Sequence, residues 1–354
     1  MKAQRLLLQA LRKPEIVVGL PDSRMEDLMV VAERSRLTAT LGHRLADAGI
    51  LAALPGRVRR HFEAAMIEAR FRSRLIRWEM NRVARALRPL DVTVVALKGA
   101  AYLLLDLPLA RGRLPADLDI LVRREDLSRV ERRLTEAGWR SAELSEYDQR
   151  YYRRWMHEIP PLRHPQRYVE VDVHHALLPL TARLQADDEL LWSSVREVSC
   201  SRFRVLAPED LVLHAVVHLF HDSDCANRLR DLVDIDGLLR HFSARDRDFW
   251  HRLTERARAH GLERPLTYAF HVGRRLLHTP VPAEWLNPGR ANPLLRRWMT
   301  ALMCRALPPS APDDLDLGAA AARWLLYLRS HYLRMPLNLL IPHLLRKALA
   351  GKRH

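Results

Sequence analysis

The chain has 354 residues, 48% hydrophobic and 28% charged, and a formal net charge of +16. That composition supplies one large core or two ordinary ones and excludes a disordered, collagen-like or low-complexity protein. No run of roughly 18 uncharged apolar residues occurs, and Cys200, Cys225 and Cys304 lack metal-type or paired spacing; a membrane span and a disulfide scaffold are excluded, and a cytoplasmic protein is expected.

Residues 1–88 read as helices. Arg24 to Ala48 and Gly56 to Leu87 carry apolar residues at three- and four-residue spacing, with a break at Pro55-Gly56. From 89 to 206 the pattern changes. Val92 to Leu97 is short, β-branched and apolar, as a buried strand requires. Lys98-Gly99 follows, and Ala100 to Leu105 looks helical. Asp117 to Val122 is a second strand candidate, Arg124 to Ala137 an amphipathic helix ending at Gly138, and Trp139 to Leu144 a third strand. Tyr168 to Val173 is a fourth, with Val169, Val171 and Val173 on one face and Glu170, Asp172 and His174 on the other. From 207 to 354 helices return: Pro208 to His221, Asn227 to His241, then segments at 247–260, 263–277, 293–305 and 317–332. The expected class is α+β: a small mixed α/β core between N-terminal helices and a C-terminal helical domain.

The chemistry-bearing feature is Asp117-Leu-Asp119. One residue apart on a strand, both carboxylates point to the same face. They repel each other unless a cation lies between them. An oxygen-only ligand set suits Mg²⁺ or Mn²⁺. Asp172, between Val171 and Val173, offers a third carboxylate from another strand, and Glu170 shares its face. Three such groups can hold two ions about 3.5–4 Å apart, with Asp172 free to act as general base.

The order Leu97-Lys98-Gly99, Arg113-Leu-Pro-Ala-Asp117-Leu-Asp119-Ile-Leu-Val122 and Val171-Asp172-Val-His174-His175 resembles an uncharacterised nucleotidyltransferase family of the polymerase-beta-like superfamily, with many bacterial members. The likeness continues through Pro208-Glu-Asp-Leu-Val-Leu-His214 and Arg230-Asp-Leu-Val-Asp-Ile-Asp236, so it spans about 90–240. It implies magnesium held by Asp117 and Asp119, with Asp172 as the third carboxylate. It also implies transfer of a nucleoside monophosphate from a nucleoside triphosphate to an acceptor hydroxyl (of a sugar, peptide, protein or RNA), with pyrophosphate released. Many members of the superfamily carry Gly-Ser after the first strand; here the residues are Lys98-Gly99-Ala100 and the hydroxyl is absent. Gly99 still permits close backbone approach to phosphate, and Lys98 adds charge. Arg113 is a candidate phosphate contact or a loop ion pair, and His174 a candidate contact to nucleotide or acceptor.

Two other patterns compete. His214 and His218, one helical turn apart, have the spacing of two zinc ligands, the basis of an alternative metal hydrolase. The positive charge, nearly all arginine and spread along the chain, suits anionic partners. A degenerate nucleotidyltransferase core binding nucleic acid or a membrane surface is therefore a second alternative. The basic tail from Trp324 to His354 is the segment expected to touch an anionic membrane.

Overall fold

Four helices open the chain: α1 (Ala3–Arg12), α2 (Asp22–Arg34), α3 (Thr38–Asp47) and α4 (Gly56–Ala86). The coordinates are a computed structural model describing residues 3–141, 145–221, 225, 228–288, 292–309 and 316–335. The continuous helix expected over 24–48 is two, because Arg36 adopts φ 55° and closes α2 with a bond from Leu37 N to Ala32 O. A left-handed residue after a helix is usually glycine; an arginine there left no signal in the sequence. In α4, Val58, Phe62, Ala69, Ile76, Met80 and Val83 form one buried stripe on an otherwise charged helix.

The middle region holds β1 (Val95–Ala96), α5 (Lys98–Leu104), β2 (Asp117–Leu121), α6 (Leu127–Glu136), β3 (Arg140–Ser141), α7 (Glu146–Trp155), β4 (Leu162–Arg163), β5 (Glu170–His174), α8 (Asp188–Ser193), β6 (Arg196–Glu197) and β7 (Arg204–Val205). The sheet is mixed, in the order β3-β4-β5-β2-β1-β7-β6. Its centre is the parallel pair β2–β5, flanked by antiparallel β1. Val95, Leu118, Ile120, Val171 and Val173 are fully buried, and α4 and α5 both pack on β2. The expected first strand, 92–97, is laddered only at Val95–Ala96. The expected third strand, 139–144, is laddered only at Arg140–Ser141, and 142–144 lie outside the described residues.

The last region is α9 (Pro208–His221), α10 (Leu229–Ser243), α11 (Phe249–Ala259), α12 (Glu263–Leu277), α13 (Pro293–Ala306) and α14 (Leu317–Arg334). Helix α9 is buried nearly all round, as its apolar composition requires. Helix α1 packs on α12, and buried apolar residues from Ala3 to Leu326 form one connected cluster. The fold is α+β, as expected. No helix among the described residues is long and apolar enough to cross a membrane. The part of the basic tail at 336–354 lies outside the described residues.

The short 3-10 turn Pro108–Gly112 joins the N-terminal helices to the sheet. Thr40 Oγ1 donates to the Gly112 carbonyl at 3.1 Å, and a Cβ on Gly112 would lie 2.4 Å from Thr40 Cα. Backbone cannot swing aside as a side chain can. Gly112→Ala should therefore cost about 1–3 kcal/mol, read as a lower urea midpoint with an unchanged m-value.

Candidate active site

The parallel register places Asp119 opposite Asp172 and Asp117 opposite Glu170, all four on one face of the sheet. Asp117, Asp119 and Asp172 each bring a carboxylate oxygen within 4.8 Å of the others. Glu170 is instead drawn to Arg163, whose Nη2 donates to Oε1 at 2.6 Å. Between the two acids left open by the sequence, the geometry groups Asp172 with the pair.

Their environments differ. Asp117 is exposed at the start of β2, while Asp119 is buried. Lys98 Nζ donates to Asp119 Oδ1 at 2.7 Å, and His174 Nε2 approaches the same oxygen at 3.0 Å. Burial alone would raise the Asp119 pKa, but Lys98 and His174 overcome it and hold the carboxyl well below its ordinary range. Lys98 likewise stays charged: burial opposes its charge, Asp119 outweighs burial, and its pKa rises. A bond from Leu97 N to the Asp119 carbonyl sets Lys98 beside its partner, and Lys98 takes φ 43° there. A non-glycine residue in that region stores about 1–3 kcal/mol of strain, a pattern that clusters at functional sites.

Asp172 is the site's unneutralised acid. Burial, then repulsion from Asp119 and Glu158, pushes its pKa up to about 7. Its Oδ1 is buried with no hydrogen-bond partner. Three converging carboxylates, one with an orphaned oxygen, fit a hard divalent cation such as Mg²⁺ or Mn²⁺.

A cavity of about 160 Å³ opens in front of this cluster. Lys98, Arg113, Asp117 and Asp119 line one side, and Arg228, Arg230, Asp231 and Asp234 another. Gly99, Asp172 and His174 do not line it. His174 is buried behind Asp119, 2% exposed. Gly99 makes room for Arg113: a Cβ there would sit 2.8 Å from Arg113 Nη1. Arg113 lies over the Tyr102 ring, 5.2 Å from its centroid, with Nε 2.9 Å from Asp234. That approach is off the hydrogen-bond axis, so it is a close charge pair rather than a well-formed bond. Arg113 is thus engaged in the loop ion pair and also faces the cavity.

His214 and His218 lie with rings edge-on, 6.5 Å apart. Burial pushes His214 down to about 3 and His218 well below its ordinary range, so both are neutral. Neither belongs to a group of three prospective metal ligands among the described residues. Sequence reasoning missed Arg228 and Arg230 as cavity residues. It also missed His157 and Glu158, which meet His174 through a single bridge pairing Glu158 with His174. A one-bridge contact leaves no periodic signal.

The family model described as an uncharacterised nucleotidyltransferase matches residues 21–278, well beyond the 90–240 stretch that carries the motifs. No curated protein and no solved structure matches the chain. The matched stretch takes in α2, α3 and α4, the carboxylate strands and the cavity-lining start of α10, and the chain belongs to this nucleotidyltransferase family.

Proposed function

We propose that the protein moves a nucleoside monophosphate from a nucleoside triphosphate to an acceptor hydroxyl, releasing pyrophosphate, on a polymerase-beta-like core. The observation that carries this reading is the Asp119–Asp172 register across β2 and β5, with Asp117 completing a three-carboxylate cluster beside a cavity lined by Lys98, Arg113, Arg228 and Arg230. Asp117, Asp119 and Asp172 would hold Mg²⁺ or Mn²⁺, which when bound neutralises phosphate charge and lowers the acceptor hydroxyl's pKa. The acceptor oxygen bonds to the α-phosphorus, the bond to the bridging oxygen breaks, and pyrophosphate leaves. Asp172 receives the hydroxyl proton. Lys98 fixes Asp119 as a charged ligand, and Arg228 and Arg230 face the phosphates across the cavity. Arg113 and Gly99 act together, the glycine leaving space for the guanidinium.

Charge balance makes this testable. The cavity's four cations, Lys98, Arg113, Arg228 and Arg230, are offset by Asp117, Asp119, Asp231 and Asp234. A triphosphate gains attraction there only when divalent ions enter with it. Calorimetry with a non-hydrolysable triphosphate should show binding with Mn²⁺ and none without; equal binding in both would contradict the proposal.

Metal affinity should also depend on pH. The metal-free Asp172 pKa of about 7 lies above the unfolded value of 3.8. Its contribution to stability is present below 3.8 and lost as pH rises through 7, where the charged carboxylate stands uncompensated. A cation restores it. Mn²⁺ should raise the melting temperature more at pH 8 than at pH 6, and Asp172→Asn should remove the difference.

A further inference from the structure

His157, Glu158 and His174 form a second group of prospective ligands, each with an atom within 4.8 Å of the others. Backbone pairing brings them together. Ile159 N donates to the Val173 carbonyl at 3.1 Å, His175 N donates to the His157 carbonyl at 2.8 Å, and Glu158 bridges to His174. The His157 and His174 rings lie 5.2 Å apart, and Glu158 Oε2 is 3.5 Å from His174 Nε2.

The decisive feature is two orphaned nitrogens. Nδ1 of His157 and Nδ1 of His174 are buried without a hydrogen-bond partner. In His174 the other nitrogen, Nε2, faces the ionised Asp119 carboxylate at 3.0 Å and must donate to it. With Nε2 committed to Asp119, Nδ1 is the nitrogen left to meet a ligand, and a buried polar atom without a partner costs free energy until one is supplied. A histidine whose second nitrogen is held by a carboxylate is the usual arrangement of a metal-bound imidazole.

We propose that His157, Glu158 and His174 bind one divalent transition ion of the zinc class. Two nitrogens and one carboxylate oxygen suit Zn²⁺ and disfavour Mg²⁺, which takes oxygen ligands. The site is separate from the three-carboxylate cluster but touches it through the His174–Asp119 bond, so the ion would lock His174 and through it orient Asp119. His174 is then a positioning residue rather than a nucleotide contact.

The test reads metal content and so is independent of nucleotidyl transfer. Untagged full-length protein is stripped with chelator, loaded with Zn²⁺ in excess Mg²⁺, and dialysed. About one zinc per chain is expected, with X-ray absorption showing imidazole scattering and no sulfur. His157→Ala and Glu158→Gln should each lose that ion, and Asp117→Asn should keep it. Circular dichroism checks that the variants fold; if one does not, the wild-type absorption spectrum still decides. No retained zinc, an oxygen-only or sulfur-containing shell, equal retention by folded His157→Ala, or loss in Asp117→Asn would overturn the proposal.

Discussion

Asp117→Asn is expected to lower nucleotidyl transfer by about a thousandfold or more and leave thermal stability within about 0.5 kcal/mol of the parent. The two halves have different origins. Asp117 is exposed at the start of β2, and substitutions at such positions rarely move stability further. Its oxygen is nevertheless one of the three that converge, and loss of a ligand to a catalytic ion removes several kcal/mol of transition-state stabilisation. At 1.36 kcal/mol per decade, about 4 kcal/mol is a thousandfold. Asp119 is the less clean choice: its loss would strand the buried Lys98 charge and the His174 donor, mixing folding with chemistry. Single-turnover rates beside calorimetric melts give both numbers, and retention of more than a tenth of the parent rate would remove Asp117 from the metal site.

Asp210→Ala should unfold the protein most severely, at a cost of about 3–5 kcal/mol. Asp210 stands in the first turn of α9, 1% exposed. It accepts from Arg256 Nε at 2.8 Å and Arg256 Nη2 at 2.7 Å, from Ser194 Oγ at 2.7 Å, and lies 3.2 Å from His260 Nε2. One carboxylate thus ties α11 and the end of α8 to α9, and removing it leaves a half-buried guanidinium without its counter-charge. Burial opposes the Asp210 charge, but its bonds to His260, Arg256 and Ser194 prevail, and its pKa falls below the ordinary 3.8. With a depressed folded pKa, the stabilisation is present above 3.8 and lost as pH drops through the lower folded value. The deficit of Asp210→Ala should therefore be full at pH 7 and shrink below about pH 4, a comparison made by urea unfolding at the two values. Activity of the folded variant at low temperature should be preserved, since Asp210 does not line the cavity.

The parts of this molecule that a one-dimensional pattern can carry were readable in advance. Helices α4, α9 and α12 follow the apolar spacing nearly to the residue, and the Asp117–Asp119 alternation announced a strand with two acids on one face. What the pattern could not carry is pairing. That Asp119 faces Asp172 rather than Glu170 depends on the β2–β5 register, and that Arg163 takes up Glu170 depends on a strand of two residues, Leu162–Arg163. Strands β4, β6 and β7 are too short for alternation to show, and α7 is a Tyr- and Arg-rich helix without a single aliphatic residue. The left-handed Arg36 and Lys98 are invisible for a related reason: both positions break the expectation that such backbone belongs to glycine. The motif Pro208-Glu-Asp210 was legible as a helix start, but its role as a tie among three helices needed Arg256 and Ser194 in space.

Which phosphorus of the triphosphate moves to the acceptor decides the reaction class, and one labelling experiment reads it. The wild-type protein is given Mg²⁺ and a triphosphate labelled at the α- or the γ-phosphorus, together with an extract that supplies acceptors, and Asp117→Asn is run beside it. Nucleotidyl transfer requires that α-label becomes attached to an acceptor while γ-label appears in pyrophosphate, and that the variant does neither. Transfer of γ-label to the acceptor, or α-label incorporation equal in wild type and Asp117→Asn, would contradict it.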